Sequence, residues 1–178
     1  MRGVLLAIGL AIVGCNNPKP TIASDGPTPT TPVASTSGSS ASPPSSNASN
    51  KGAPLVVAAS QDTDALTAIR TERLKAKADG RVLVVYVAAT WCEPCKKFKE
   101  ELASGRLDDR LAKITLLAFD ADKDLDRLGA AGYTFKFVPF VALPGADGRP
   151  ADTQEATGKG SSAWKELLGK LDSWQVAK

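Results

Sequence analysis

The sequence predicts an α/β fold, a mixed β-sheet with helices on both faces. Three observations predict it. Two runs, residues 82–89 and 113–119, are continuously apolar and rich in β-branched side chains. Such runs suit strands covered on both faces. Segments of helical period lie between the runs, which makes the early strands parallel. A turn-forming stretch, Pro144-Gly145-Ala146-Asp147-Gly148, then follows a third strand and reads as a hairpin.

The first 53 residues stand apart from this fold. Residues 1–14, MRGVLLAIGLAIVG, place one Arg before an apolar run from Val4 to Val13. The run is too short for a membrane-spanning helix, which needs about 20 residues. It fits the apolar region of a signal peptide. Ile12-Val13-Gly14-Cys15 resembles a bacterial lipobox. The resemblance implies cleavage before Cys15 and attachment of acyl chains there, which anchors a chain without spanning the bilayer. The alternative is an ordinary signal peptide with a free cysteine beside its cleavage site. Asn16 after Cys15, by resemblance to enterobacterial sorting, favours the outer membrane over the inner, with the protein facing the periplasm. Residues 15–53 form a Ser/Thr/Pro-rich linker holding seven of the twelve prolines, and no aromatic residue precedes Tyr86. This stretch lacks the apolar surface to offset its ordering entropy and reads as a disordered tether.

Residues 54–178 carry the fold. Leu55 to Ala59 reads as a short first strand, and Asp62 to Ala78 as a helix with Leu66 and Ile69 on one face. Asp79-Gly80 ends that helix. The strand at 82–89 leads into Thr90-Trp91-Cys92-Glu93-Pro94-Cys95 and a helix from Glu93, with Cys95, Phe98 and Leu102 on one side. After the strand at 113–119, Asp122 to Ala131 reads as a helix with Leu125 and Leu128 inward. Phe137 to Leu143 is a third strand interrupted by Pro139, and Asp152 to Thr157 is the last. Ser161 or Ser162 is expected to cap a final helix whose Trp164, Leu167, Leu168 and Leu171 form an apolar stripe. Gly158-Lys159-Gly160-Ser161 lacks the spacing of a phosphate loop and reads as the loop before that helix.

The chain has three cysteines and no histidine. Catalytic triads and imidazole metal sites are therefore excluded. The folded part carries 19 basic and 18 acidic residues, so no nucleic-acid partner is expected. Cys92 and Cys95 frame two residues at a strand-to-helix junction. Free backbone N–H groups and the positive end of the helix there favour a Cys92 thiolate. Cys95, one turn on, is expected to be the more shielded. The division of labour is attack by Cys92 on a disulfide, then resolution of the mixed disulfide by Cys95. A simple staple is the weaker reading, because so short a loop constrains little chain entropy. Zinc normally needs four ligands, and the mature chain offers one pair. Neither a metal nor an organic cofactor is expected.

Val82 to Phe98, VLVVYVAATWCEPCKKF, with Val138-Pro139-Phe140 further on, resembles the thioredoxin superfamily. The resemblance implies a thioredoxin-like fold, with Cys92 and Cys95 as catalytic residues and Pro139 as the cis-proline against the disulfide. It also implies that Trp91, Val138 and Pro139 contact the substrate, the backbone before the proline pairing with it as an added strand. Glu93 and Pro94 sit inside the motif and tune it. Lys96, Phe98, Leu107-Asp108 and Ala118-Phe119-Asp120 add a similarity to the C-terminal domain of DsbD-type thiol:disulfide interchange proteins. That similarity implies a stand-alone, lipid-anchored reductant of client disulfides, supplied by a separate electron donor or acceptor. A dedicated thiol reductase for cytochrome c maturation and a non-catalytic binding lipoprotein remain open beside it. One departure bears on mechanism. Many thioredoxins hold a buried Asp six residues before the first Cys, and here that position is Tyr86. Water, Tyr86 and Glu93 are the candidate proton acceptors for Cys95.

Overall fold

The computed structural model describes residues 52–176. The signal sequence, Cys15 and the linker up to residue 51 lie outside the described residues. Five strands, β1 (Leu55–Ala58), β2 (Val82–Ala88), β3 (Ile114–Asp120), β4 (Phe140–Pro144) and β5 (Pro150–Glu155), form one sheet. Their order is β1-β3-β2-β4-β5. β3 runs parallel to both β1 and β2, whereas β4 is antiparallel to β2 and β5. The helices are α1 (Ala65–Ala78), α2 (Glu93–Ala103), α3 (Asp108–Leu111), α4 (Ala121–Ala130) and α5 (Glu166–Val176). This mixed sheet with helices on both faces is the thioredoxin-like fold expected from the sequence.

The apolar run of β2 is explained by its two covered faces. Leu83, Val85 and Val87 join the core beneath α1 and α4, with Ile69, Leu117 and Leu128. Val84 and Tyr86 join the opposite core, with Phe98 of α2 and Leu167 and Leu171 of α5. Successive side chains on a strand alternate faces, so a strand covered twice has no polar positions to spare. Among the described residues no helix is long and apolar enough to cross a membrane.

Several elements differ from the sequence expectation, each through a local interaction. α1 starts at Ala65 rather than Asp62, because the Asp64 carboxylate caps it by accepting the Thr67 N–H at 2.9 Å. β4 begins at Phe140, not Phe137: Pro139 has no N–H to donate, and the N–H groups of Lys136 and Phe137 go to the Glu155 carboxylate at 3.2 and 3.0 Å. β5 correspondingly spans Pro150–Glu155 instead of Asp152 to Thr157. No serine side chain caps the last helix. Ser162 has helical backbone angles and leads into a short 3₁₀ turn, Ala163–Lys165. Glu166 instead ties down the incoming loop, accepting the N–H groups of Thr157 and Gly158 at 2.9 Å each. α3 has no counterpart in the sequence reading.

α4 is turned from its expected phase. Leu125 is 54% exposed, while Asp124 is 1% exposed. Asp124 takes the inward place because three donors meet it there. These are the Asp120 N–H at 2.7 Å, the Arg127 Nε–H at 2.8 Å and the Gln61 side-chain amide at 3.1 Å. Arg127 in turn donates to the carbonyls of Ser60 and Thr63 at 2.7 and 2.8 Å, and its guanidinium lies over the Phe119 ring. The cluster therefore ties the loop before α1 to the end of β3. Removing one partner leaves the other charge buried and uncompensated, a loss of about 3 kcal/mol. Asp124→Ala is expected to lower unfolding stability in urea by about that amount. The Asp124→Leu/Arg127→Met pair is expected to lose less than the single change. A single variant as stable as the parent would contradict the assignment.

Candidate active site

The site forms where three strand ends converge. β2 ends at Ala88, and a short turn carries Trp91 and Cys92 to the start of α2. Cys92 is the cap residue of α2, in extended conformation, and its sulfur accepts the Cys95 N–H at 3.2 Å. Pro94 sits in the first turn, where the missing N–H would have no intrahelical partner. Cys92 and Cys95 are joined by a disulfide, with their Cα atoms 5.3 Å apart. From the other side the Val138–Pro139 peptide bond, which is cis, approaches the pair. The Val138 carbonyl oxygen lies 3.5 Å from the Cys92 sulfur. Cys92, Cys95, Val138 and Pro139 are thus brought together, as expected.

Burial does not separate the two cysteines. Each is 3% exposed, so Cys95 is not the more shielded of the pair in the disulfide form. Cys92 and Cys95 form one small buried cluster with Ala89, and Ala88, Ala121 and Val138 pack against it. The difference lies in surroundings: Cys95 borders a groove, described below, and Cys92 borders the Val138 backbone.

Trp91 is 63% exposed beside the pair. Its indole N–H donates to the Asp122 carboxylate, with distances of 3.0 and 3.2 Å to the two oxygens. Asp122 lies in the first turn of α4, and its only sequence signal is an Asp-rich stretch suited to any helix start.

Glu93 points outward and pairs with Lys96 at 2.6 Å. The Lys96 hydrogen bond and charge hold the Glu93 carboxyl below its ordinary value. Glu93 is consequently an anion tied to a surface lysine, a poor acceptor for the Cys95 proton. Tyr86 is excluded for a different reason. It is buried edge-on against Phe98, ring centroids 5.5 Å apart, and burial pushes its phenol further above its ordinary value. Of the acceptors expected from the sequence, water alone remains. Among the described residues no group of three or more Cys, Asp or Glu side chains is arranged to hold a metal ion.

No protein-family model and no curated protein matches the chain. Among solved structures it is similar to a poplar thioredoxin h, with 20% identity and a TM-score of 0.48 over 71% of this chain and 100% of that one. A thioredoxin from Trichomonas vaginalis gives 17% identity and a TM-score of 0.43 over 70% and 98%. A disulphide isomerase from Xylella fastidiosa Temecula1 gives 19% and 0.43 over 65% and 88%.

The Glu93–Lys96 pair carries a prediction for the reduced protein. A bare Glu93 charge opposes the helix dipole at Cys92, and Lys96 offsets it. The Cys92 titration midpoint, followed by thiolate absorbance, is expected to fall in Glu93→Gly and to rise in Lys96→Met. Midpoints equal to the parent in both variants would show that neither charge reaches the sulfur.

Proposed function

We propose that the protein is a thiol-disulfide oxidoreductase of the bacterial cell envelope, held to the membrane by lipid on Cys15 and reducing disulfides of client proteins through Cys92 and Cys95. The observation that carries the redox reading is the Cys92–Cys95 disulfide in the first turn of α2, with the Val138 carbonyl beside the Cys92 sulfur. A staple in this place would join residues already neighbours in one helical turn and would add little stability. A pair that opens and closes has a use for the position. In the reduced form the Cys95 N–H and the positive end of α2 stabilise a Cys92 thiolate.

Catalysis follows from these parts. The Cys92 thiolate attacks one sulfur of a client disulfide, and the other client sulfur leaves as a thiolate. The client chain, now bonded to Cys92, lies along the Val138 backbone in the manner of an added strand. Cys95 then attacks Cys92 and releases the client, which has gained two electrons. Trp91, fixed by Asp122, supplies an exposed apolar surface beside the entering chain. No organic cofactor enters these steps. The envelope reading is supported by the apolar run before Cys15 and by the Ser/Thr/Pro-rich composition of residues 15–53. The reductant reading rests on the DsbD-type resemblance.

Three experiments test these statements. The purified protein is expected to reduce insulin with dithiothreitol as donor, and Cys92→Ser is expected to fall to the uncatalysed rate. Equal rates for the two proteins would defeat the redox reading. In cells, Cys95→Ala should accumulate mixed disulfides with clients, identifiable by mass spectrometry after non-reducing separation. Labelled palmitate should enter the parent and not Cys15→Ser; label in neither would remove the lipid anchor.

A further inference from the structure

A groove of about 660 Å³ lies beside the disulfide, on the Cys95 side. Its α2 wall includes Cys95 and Lys99, and Tyr86, Ala88, Ala118 and Asp120 line it from the sheet. Strand register explains the arrangement. Tyr86 is opposite Ala118 and Ala88 is opposite Asp120 across the β2–β3 pair. Side chains two apart on a strand share a face, so Ala118 and Asp120 lie on the Tyr86 side of the sheet. That is the face covered by α2, since Tyr86 meets Phe98 there. Ala88 and Ala118 extend no further than a methyl group, so the space they leave gives Asp120 and Cys95 a common, solvent-connected groove.

We propose that Asp120 accepts the proton of Cys95 across this groove, through water, when Cys95 resolves the mixed disulfide. The proposal rests on the oxidoreductase reading above. Tyr86 on the groove wall stays neutral, and Asp120 brings a carboxylate to the same face from the neighbouring strand. The step balances. The Cys95 thiol loses its proton to groove water and thence to Asp120. The Cys95 thiolate attacks the Cys92 sulfur and forms the Cys92–Cys95 bond. The bond from Cys92 to the client breaks, and the client sulfur leaves with the electron pair as a thiolate. Asp120 afterwards returns its proton to solvent.

The other charged groups lining the groove are Lys96 and Lys99 from α2 and Asp108 from α3; β1 contributes only apolar residues. Lys96 is paired with Glu93. Lys99 is one turn beyond Cys95 on the same helix face and favours its thiolate. Asp120 also caps α4, accepting the Asp122 N–H at 2.9 Å. Asparagine caps a helix as well as aspartate does, so Asp120→Asn removes the base and keeps the cap.

The test uses the full chain carrying Cys15→Ser, so that only Cys92 and Cys95 report. Reduced protein mixed with Ellman's reagent releases thionitrobenzoate twice, first as Cys92 is modified and then as Cys95 displaces the second equivalent. In Asp120→Asn the first release should be unchanged. The second should slow about tenfold in the acid limb and converge with the parent at high pH, where hydroxide suffices. Matching pH profiles for the second release overturn the proposal. Slowing by one factor at every pH also overturns it, because that is the mark of a structural defect. A parent without any second release would instead overturn the oxidoreductase reading itself.

Discussion

β2 is the constraint on which the remaining structure depends. It is hydrogen-bonded on both edges, parallel to β3 over Val82–Ala88 and antiparallel to β4 over Val85–Val87. It is also covered on both faces. A strand fixed in all four directions ends at a defined point, and the reactive turn begins there. β3 ends at the same pole and delivers Asp120 and the start of α4. β4 begins there, immediately after Pro139. A one-residue slip of β2 against β3 would exchange its two faces and carry Tyr86 to the wrong core. The disulfide, the Val138 carbonyl and the Asp120 carboxylate are thus placed by one set of ladder bonds.

The two sides of the disulfide differ in kind. On the Val138 side the neighbour is backbone, a carbonyl oxygen 3.5 Å from the Cys92 sulfur. On the Cys95 side the neighbour is an open groove with ionisable groups at its edge. A histidine-free chain must move protons with carboxylates, ammonium groups or water. The small side chains of Ala88 and Ala118 leave room for water, while Tyr86 fills the buried position with a group that stays neutral. Burial and proton transfer are thereby separated: the core beneath Cys95 is apolar, and the acid stands at the end of the neighbouring strand.

What the sequence reveals follows from how far each signal depends on tertiary contact. The continuous apolar runs of β2 and β3, the Cys92–Cys95 spacing and the stripe on α5 are local patterns, and each lies where expected. Asp124 and Leu125 are read in the wrong phase because periodicity ranks leucine above aspartate. Three converging donors, two from other elements, reverse that order in the folded chain. Pro139 marks its own position but not the start of β4, which depends on Glu155 sixteen residues later holding the preceding N–H groups. Ser162 carries the right chemistry for a cap and the wrong backbone for one. Asp120 and the groove are hidden for a similar reason: neither Ala118 nor Asp120 is unusual alone, and their meaning comes from pairing with Tyr86 and Ala88.

The incoming end of the domain is fixed as firmly as the reactive end. Arg81, at the turn into β2, donates to the carbonyls of Ala53 and Ile114 at 2.5 and 2.8 Å, and to the Thr115 hydroxyl at 3.2 Å. These bonds join the residues before β1 to the starts of β2 and β3. β1, β2 and β3 are mutually parallel, so their starts lie together at one pole and their ends at the other. The chain therefore enters at the pole opposite the turn bearing Cys92. The Arg81 bonds thus hold the residues before β1 against the starts of β2 and β3, at the pole away from the disulfide.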